Sequence, residues 1–305
     1  MSIKKIITYL LVIMLICYGI GFTIISLTGG FKGNFNISYK NKETYNNLDQ
    51  EKIEKIDTIS QISIDILGCD INIIPEDRED VKAHFYGNAT ATFKPELETK
   101  INGKELLIFI KRPKSYSIFN SDLKLDVSVP KNYKENIDID SSSGNIKIQN
   151  ELTLNNLFID VSSANVSLKD LNIKNLKYDS SSGSLIGESI VTDSTFIDVS
   201  SGSVELNNFT GDLKGDSSSG TIEVDYNIFD NNIELDTSSG NVNIGLPDDS
   251  KFYLDAECSS GNIECDFPIV VRGKHEDNTL RGTVGNDKNK IKIDTSSGNI
   301  TILKN

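Results

Sequence analysis

The chain has 305 residues, 37% hydrophobic and 25% charged, a globular balance that argues against disorder. Its formal net charge of −13 argues against nucleic acid and anionic lipid heads as partners, because those need clustered Lys and Arg. Trp is absent and His occurs only at His84 and His275, which thins the supply of metal ligands, general bases and sugar-stacking aromatics.

At the N-terminus, Lys4 and Lys5 precede an uncharged apolar run of 22 residues, 6 to 27. About 20 such residues cross a hydrocarbon core as a helix, and the two lysines hold the N-terminus in the cytoplasm. The expectation is therefore a cytoplasmic stub at 1–5 and a single-pass signal-anchor helix at 6–27. A linker at 28–55 then leads to an extracytoplasmic domain, which places the protein in the cell membrane. A cleaved signal peptide is the competing reading, but its apolar stretch is usually shorter and ends in a small-x-small site. Cys17 follows Leu15 and Ile16, not small residues, so a lipoprotein site does not fit. With the two lysines set aside, −13 becomes −15 for the remainder.

Within the linker, "LDQEKIEKI" at 48–56 has the only helix-like spacing and predicts a turn or two of helix. Segments 62–75, 81–93, 106–112 and 123–130 read as strands of an opening β region, 56–130, which Pro130 ends. His84 falls in one of them and reads as a surface residue.

From residue 131 to the end the chain is a repeat. A motif of the form Asp-x-Ser-Ser-Gly starts at Asp140, Asp160, Asp179, Asp198, Asp216, Asp236, Glu257 and Asp294. The corner residue is Gly144, Ala164, Gly183, Gly202, Gly220, Gly240, Gly261 or Gly298. Successive corners lie 20, 19, 19, 18, 20, 21 and 37 residues apart, and a degenerate ninth copy, "DILGCDINI", stands at 65–73. Positions seven and five before each corner are mostly apolar, and so are positions two and four after it. That is period-two alternation on both sides, with a parity switch at the corner like that of a bulge or tight turn.

A unit this small buries its apolar face only by stacking on copies of itself. The expected fold is all-β: a single-stranded β-solenoid (β-helix) of about eight to nine rungs with a repeat of 18–21 residues. Rungs about 4.8 Å apart would make eight of them span roughly 38 Å. The segment 267–290 fills the long last gap as an inserted loop or hairpin, and it carries His275.

The corner Gly predicts a positive-φ backbone, so Ala164 should carry about 1 kcal/mol of strain or a local rearrangement. The Ser pair offers hydroxyls to backbone groups at the turn and to each other between rungs. A nucleophilic serine needs an adjacent base, and eight equivalent serines share two distant His, so no catalytic residue and no cofactor is assigned. The eight acids form an outward-facing column. Carboxylates about 4.8 Å apart repel by roughly 1 kcal/mol in water, and three things can relieve that: turn hydrogen bonds, lysines such as Lys147 and Lys169, or bound Ca²⁺. Cys258 and Cys265 flank one corner and could pair.

These repeats resemble the bacterial DUF4097 family. So do "LDVSVPKNY" before the first copy and "RGTVGNDKNKIKIDTSSGNITI" at the end, and the resemblance covers roughly residues 56 to 305. It implies a non-enzymatic, adhesin-like envelope protein built of β-strand repeats, with no catalytic residue to carry over. The partner is then an envelope protein or surface ligand, met by a rigid acidic surface used for adhesion or protein contact. An accessory role in envelope sensing is the alternative. A carbohydrate-active β-helix enzyme is a third reading, which the short connectors and the missing Trp disfavour.

Overall fold

The computed structural model describes residues 42–271 and 278–305; the apolar run at 6–27 and His275 lie outside them. Among the described residues every regular element is a β-strand, and no helix is long and apolar enough to cross a membrane. The helical turn expected at 48–56 is replaced by strand. Glu43–Lys55 forms β1 and pairs antiparallel with β4, Asp80–Ala91. Its i, i+3 apolar spacing is too short to outweigh a neighbouring strand with unpaired backbone.

The repeat region folds as the alternation dictates. In the first copy, β8 (Asn136–Ser141) leads into the corner and β9 (Asn145–Ile148) leaves it. Their burial alternates, with Ile137, Ile139 and Ser141 buried before the corner and Ile146 and Ile148 after it. The next copies are carried by longer strands: β10 (Leu152–Val161), β11 (Asn165–Ser180), β12 (Leu185–Ser201) and β13 (Val204–Ser219). Each pairs parallel with the strand one repeat away, with like residues opposite. Ile139, Ile159, Tyr178 and Ile197 form one such buried row. Each buried Ile, Leu or Val in these rows contributes about 1.5–3 kcal/mol.

The long strands bend sharply at places the Ser-Ser-Gly motif does not mark. Glu151, Asp170, Ser189 and Asn208 have φ of 42°, 54°, 56° and 56°. They stand 19 residues apart and form a second column of corners, left-handed and made without glycine. A third bend carries stacked asparagines: Asn175 Nδ2 donates to Asn156 Oδ1 at 2.8 Å, and Asn156 Nδ2 donates to Asn136 Oδ1 at 2.5 Å.

Further along, the repeats continue in β14 (Ile222–Tyr226), β15 (Ile233–Ser239) and β16 (Val242–Leu246), then in β17 (Phe252–Ser260) and β18 (Ile263–Cys265). Here a file of edge-to-face rings fills the interior, from Phe209 through Tyr226, Phe229 and Phe252 to Phe267, with centroids 5.1–6.2 Å apart.

Spatial order departs from chain order at both ends. The last copy, β21 (Lys290–Ser297) and β22 (Ile300–Lys304), lies between the copies before it. β21 pairs with both β15 and β17, and β22 with both β16 and β18. The segment between them supplies β20 (Thr279–Val284), antiparallel to β17, with the short β19 (Val270–Val271) beside it.

The opening region does the same. The degenerate copy, β2 (Gln61–Ile66) and β3 (Asp70–Glu76), pairs with β8 and β9 on one side. On its other side it pairs with β6 (Glu105–Lys111) and β7 (Ile118–Pro130), which come later in the chain. β5 (Glu96–Asn102) lies antiparallel to β6, and β4 lies between β1 and β7.

Candidate interaction surface

The motif acids form one continuous column. In spatial order it runs Asp65, Asp140, Asp160, Asp179, Asp198, Asp216, Asp236, Asp294, Glu257, each opposite the next in register. All nine are exposed or half-exposed, as the parity of the strand requires. Asp294 precedes Glu257, so the chain's last motif acid is the last but one in space.

Like charges in a file need counterions, and the fold supplies them at both ends and at two places between. Arg112 Nη2 reaches both oxygens of Asp65 at 2.6 Å. At the other end Arg281 bonds Asp255 through Nε at 2.5 Å and Glu257 through Nη2 at 3.1 Å. Between them, Lys177 pairs with Asp179 at 2.7 Å and Lys292 with Asp294 at 2.9 Å, each within one strand. Lys169, expected to serve the column, turns to Glu188 at 2.7 Å. Lys177 also lies 4.5 Å from the ring of Phe158 and 6.0 Å from that of Phe196, which holds its ammonium on this face.

Where cations are sparse the repulsion shows in proton affinity. Asp140 is raised above the ordinary carboxylate range, first by partial burial and then by Asp65 and Asp160, with Arg112 opposing. Asp138, two residues earlier, is raised by burial and by Asp140, Asp160 and Glu105. Among the described residues no three His, Cys, Asp or Glu side chains group to hold a metal ion; the motif acids stand in single file.

The corner itself differs from its expected form. Gly144, Gly220, Gly261 and Gly298 have φ between 115° and 152°, whereas Gly183, Gly202 and Gly240 are not among the positive-φ residues. Ala164 is fully buried and has no positive φ, so the strain expected there is absent. What the glycine corners share is close approach. A Cβ built on Gly202 would lie 2.0 Å from the carbonyl oxygen of Gly183, and on Gly220 1.9 Å from that of Gly202. On Gly240 it would lie 1.8 Å from that of Gly220, and on Gly298 2.0 Å from that of Gly240.

Backbone bonds continue the ladder across the turn, as in Ser182 N to Ser162 O at 2.8 Å and Gly240 N to Ser297 O at 3.0 Å. The hydroxyls that help lie at the buried small position three before the corner. Ser180 Oγ accepts from Gly183 N at 2.8 Å, and Thr237 Oγ1 donates to Thr295 Oγ1 at 2.8 Å. The Ser pair itself faces outward and flanks the acids with a strip of exposed hydroxyls.

The remaining candidates are dispersed. His84 Nε2 bonds Asp49 at 2.8 Å and its ring stacks on Tyr86. Cys258 and Cys265 are both free: Cys258 is buried opposite Thr295, and Cys265 lies opposite Ile302, beyond the corner. Sequence reasoning missed the second corner because Glu151, Asp170, Ser189 and Asn208 share a spacing but no residue type; the asparagine stack did carry a signal, Asn136, Asn156 and Asn175 recurring at repeat spacing.

The chain matches the family model "Toastrack DUF4097" over residues 59–303. No curated protein matches. A crystal structure described as a "putative adhesin" from Bacteroides fragilis superposes with a TM-score of 0.54 at 14% identity, covering 87% of this chain and 99% of that one. A "putative cell adhesion protein" from Clostridium sporogenes gives 0.29 at 14% identity, covering 85% and 100%. A "putative lipid binding protein" from Parabacteroides distasonis gives 0.41 at 15% identity, covering 84% and 94%. At these identities the first of them speaks for the fold alone.

Two outcomes follow from this geometry. Gly240→Ala should destabilise by about 3 kcal/mol in denaturant unfolding, the upper range for forced overpacking. Gly103→Ala has φ +63° and nothing within 4 Å of the added carbon, and should cost only about 1 kcal/mol; equal costs would contradict the role of close approach. Asp140→Asn should raise the melting temperature at pH 7. A carboxyl whose folded pKa is raised stabilises only while protonated, and that contribution is lost as pH rises through the folded value. The gain should shrink to nothing near pH 3, below the ordinary range of the carboxyl; a gain that persists there would contradict the assignment.

Proposed function

The chain belongs to the Toastrack DUF4097 family, and from that premise we propose a non-catalytic role at the cell envelope. In this reading a membrane anchor at 6–27 carries an extracytoplasmic β-solenoid that presents a rigid acidic face for adhesion or protein contact. The observation that carries it is the in-register column of nine acids, flanked by exposed hydroxyls and closed by an arginine at each end. A face that repeats one chemical group at rung spacing offers many equivalent weak contacts, and equivalent contacts on a rigid scaffold add by avidity.

The serines favour the same reading. Their backbone groups are taken up by the ladder, and His84, the one histidine among the described residues, is bound to Asp49. The acidic face selects against anionic partners and for basic or hydroxyl-rich ones.

The test is capture from the protein's own membranes after cross-linking in place, with wild type and a triple Asp179→Lys, Asp198→Lys, Asp216→Lys variant. The reading expects a defined partner that the wild type retains and the variant loses, with the fold intact by circular dichroism. Identical capture by both would remove the acidic face from the function.

A further inference from the structure

The opening region carries a polar trough of its own. Its floor is the outer face of three adjacent strands, β1, β4 and β7. Across them Thr44 stands opposite Thr90, and Thr90 opposite Asn120; one step on, Asn88 stands opposite Asp122. β1 bulges between Tyr45 and Leu48, which lifts Asn46 and Asn47 into the rim. Asn47 takes φ 54° and donates its N–H to Asn88 Oδ1 at 2.9 Å. The resulting cavity has a volume of about 580 Å³, within the usual range for ligand sites, and Ala89 is its one apolar lining residue.

Through Asn120 and Ser121 the trough runs on into a second depression of about 470 Å³, which reaches Ser142 and Ser143 at the first Ser-Ser-Gly corner. Two aromatic side chains stand on it. Phe119 is 52% exposed and Tyr116 37% exposed. Phe93 meets the edge of Tyr116 at 5.5 Å, and Lys42 lies 5.0 Å from the Phe119 ring, so both rings are held from one side.

We propose that this trough binds a neutral oligosaccharide. Amides and hydroxyls that can both donate and accept suit a ligand bearing many hydroxyl groups, and the exposed rings suit the C–H faces of sugar rings. An apolar ligand has nothing to bury against on the floor. An anionic one would meet Asp122 in the larger cavity, whose lining has no Lys or Arg; Lys42 and Arg112 stand only at the rings of the second depression, over Phe119 and beside Tyr116. An extended peptide would need free backbone to pair with; β4, at the centre of the floor, is paired on both sides, and the exposed edge of β1 is lined with charge. The larger cavity contains none of the column acids, while the second depression borders the column's first corner at Ser142 and Ser143.

The experiment presents full-length protein in detergent micelles to an array of neutral and acidic oligosaccharides, alongside Asp122→Ala, Phe119→Ala and the remote control Ser239→Ala. The inference expects wild type and Ser239→Ala to bind at least one neutral oligosaccharide. Asp122→Ala and Phe119→Ala should each weaken that binding tenfold or more without lowering the melting temperature, since both side chains are exposed. No neutral sugar bound, binding confined to uronic or sialic acid sugars, or binding that survives both substitutions would overturn it.

Discussion

The contact on which the structure depends is one carbonyl oxygen set where a side chain would begin. At Gly202, Gly220, Gly240 and Gly298 the backbone of the neighbouring corner comes within 2.0 Å of the position a Cβ would take. At these four corners a Cβ would force the two turns apart; at Ala164 the backbone accommodates the methyl and keeps its ladder to the Gly144 corner. The carbonyl contact fixes each corner directly against the next, and the register of the strands on both sides of the corner follows, because a slip of one residue would expose every buried Ile and Val. The acid column is a by-product of that register. Residues four before each corner must stand in file, and their repulsion is tolerated because they face water and because arginines close the file.

Repeat proteins must also end somewhere, and an open rung is a template for further pairing. Here both ends are capped by strands placed out of order, which leaves among the free edges the three-residue β18 and the charged β1. At the C-terminal end the final repeat is inserted between its two predecessors, so the last strand of the chain has a partner on each side and cannot fray alone. At the opposite end β6 and β7 pair outside β2 and β3, and the antiparallel strands β1, β4 and β5 cover them. β1 itself carries Asp49, Glu51, Lys52, Glu54 and Lys55 along the exposed edge, a charged rim that discourages further strands. This departure from the repeat is also what builds the polar trough: a regular rung has no room for the bulge at Asn46 and Asn47.

Much of this was legible in the sequence because identical units must stack, and period-two alternation tells which residues face in. The buried rows, the outward acids and the corner column all follow from reading one repeat. Spatial order was not legible, since every copy of the motif fits every slot; only the 37-residue gap before Asp294 signalled that something intervened. The second corner escaped because left-handed conformations are open to Asp, Asn and Ser without a common motif. At 48–56 the helical spacing of a few apolar residues was outweighed by a partner strand. The reason for the corner glycines was misplaced as well: Gly183, Gly202 and Gly240 are needed for the space beside them rather than for their dihedral angles. The trough was illegible because its residues come from three strands far apart in the chain.

The central claim, that rung order is set by corner contact and not by chain order, can be tested by cross-linking. In register, Ser239 lies opposite Ser297 and Ser297 opposite Ser260, so Ser239 and Ser260 are two rungs, about 9.6 Å, apart. A disulfide needs Cα atoms roughly 4.4–6.8 Å apart. A Ser239→Cys, Ser297→Cys variant should therefore form an internal disulfide on mild oxidation, and Ser239→Cys, Ser260→Cys should not. The reverse pattern would mean that the repeats stack in chain order and that corner contact does not decide which rungs are neighbours.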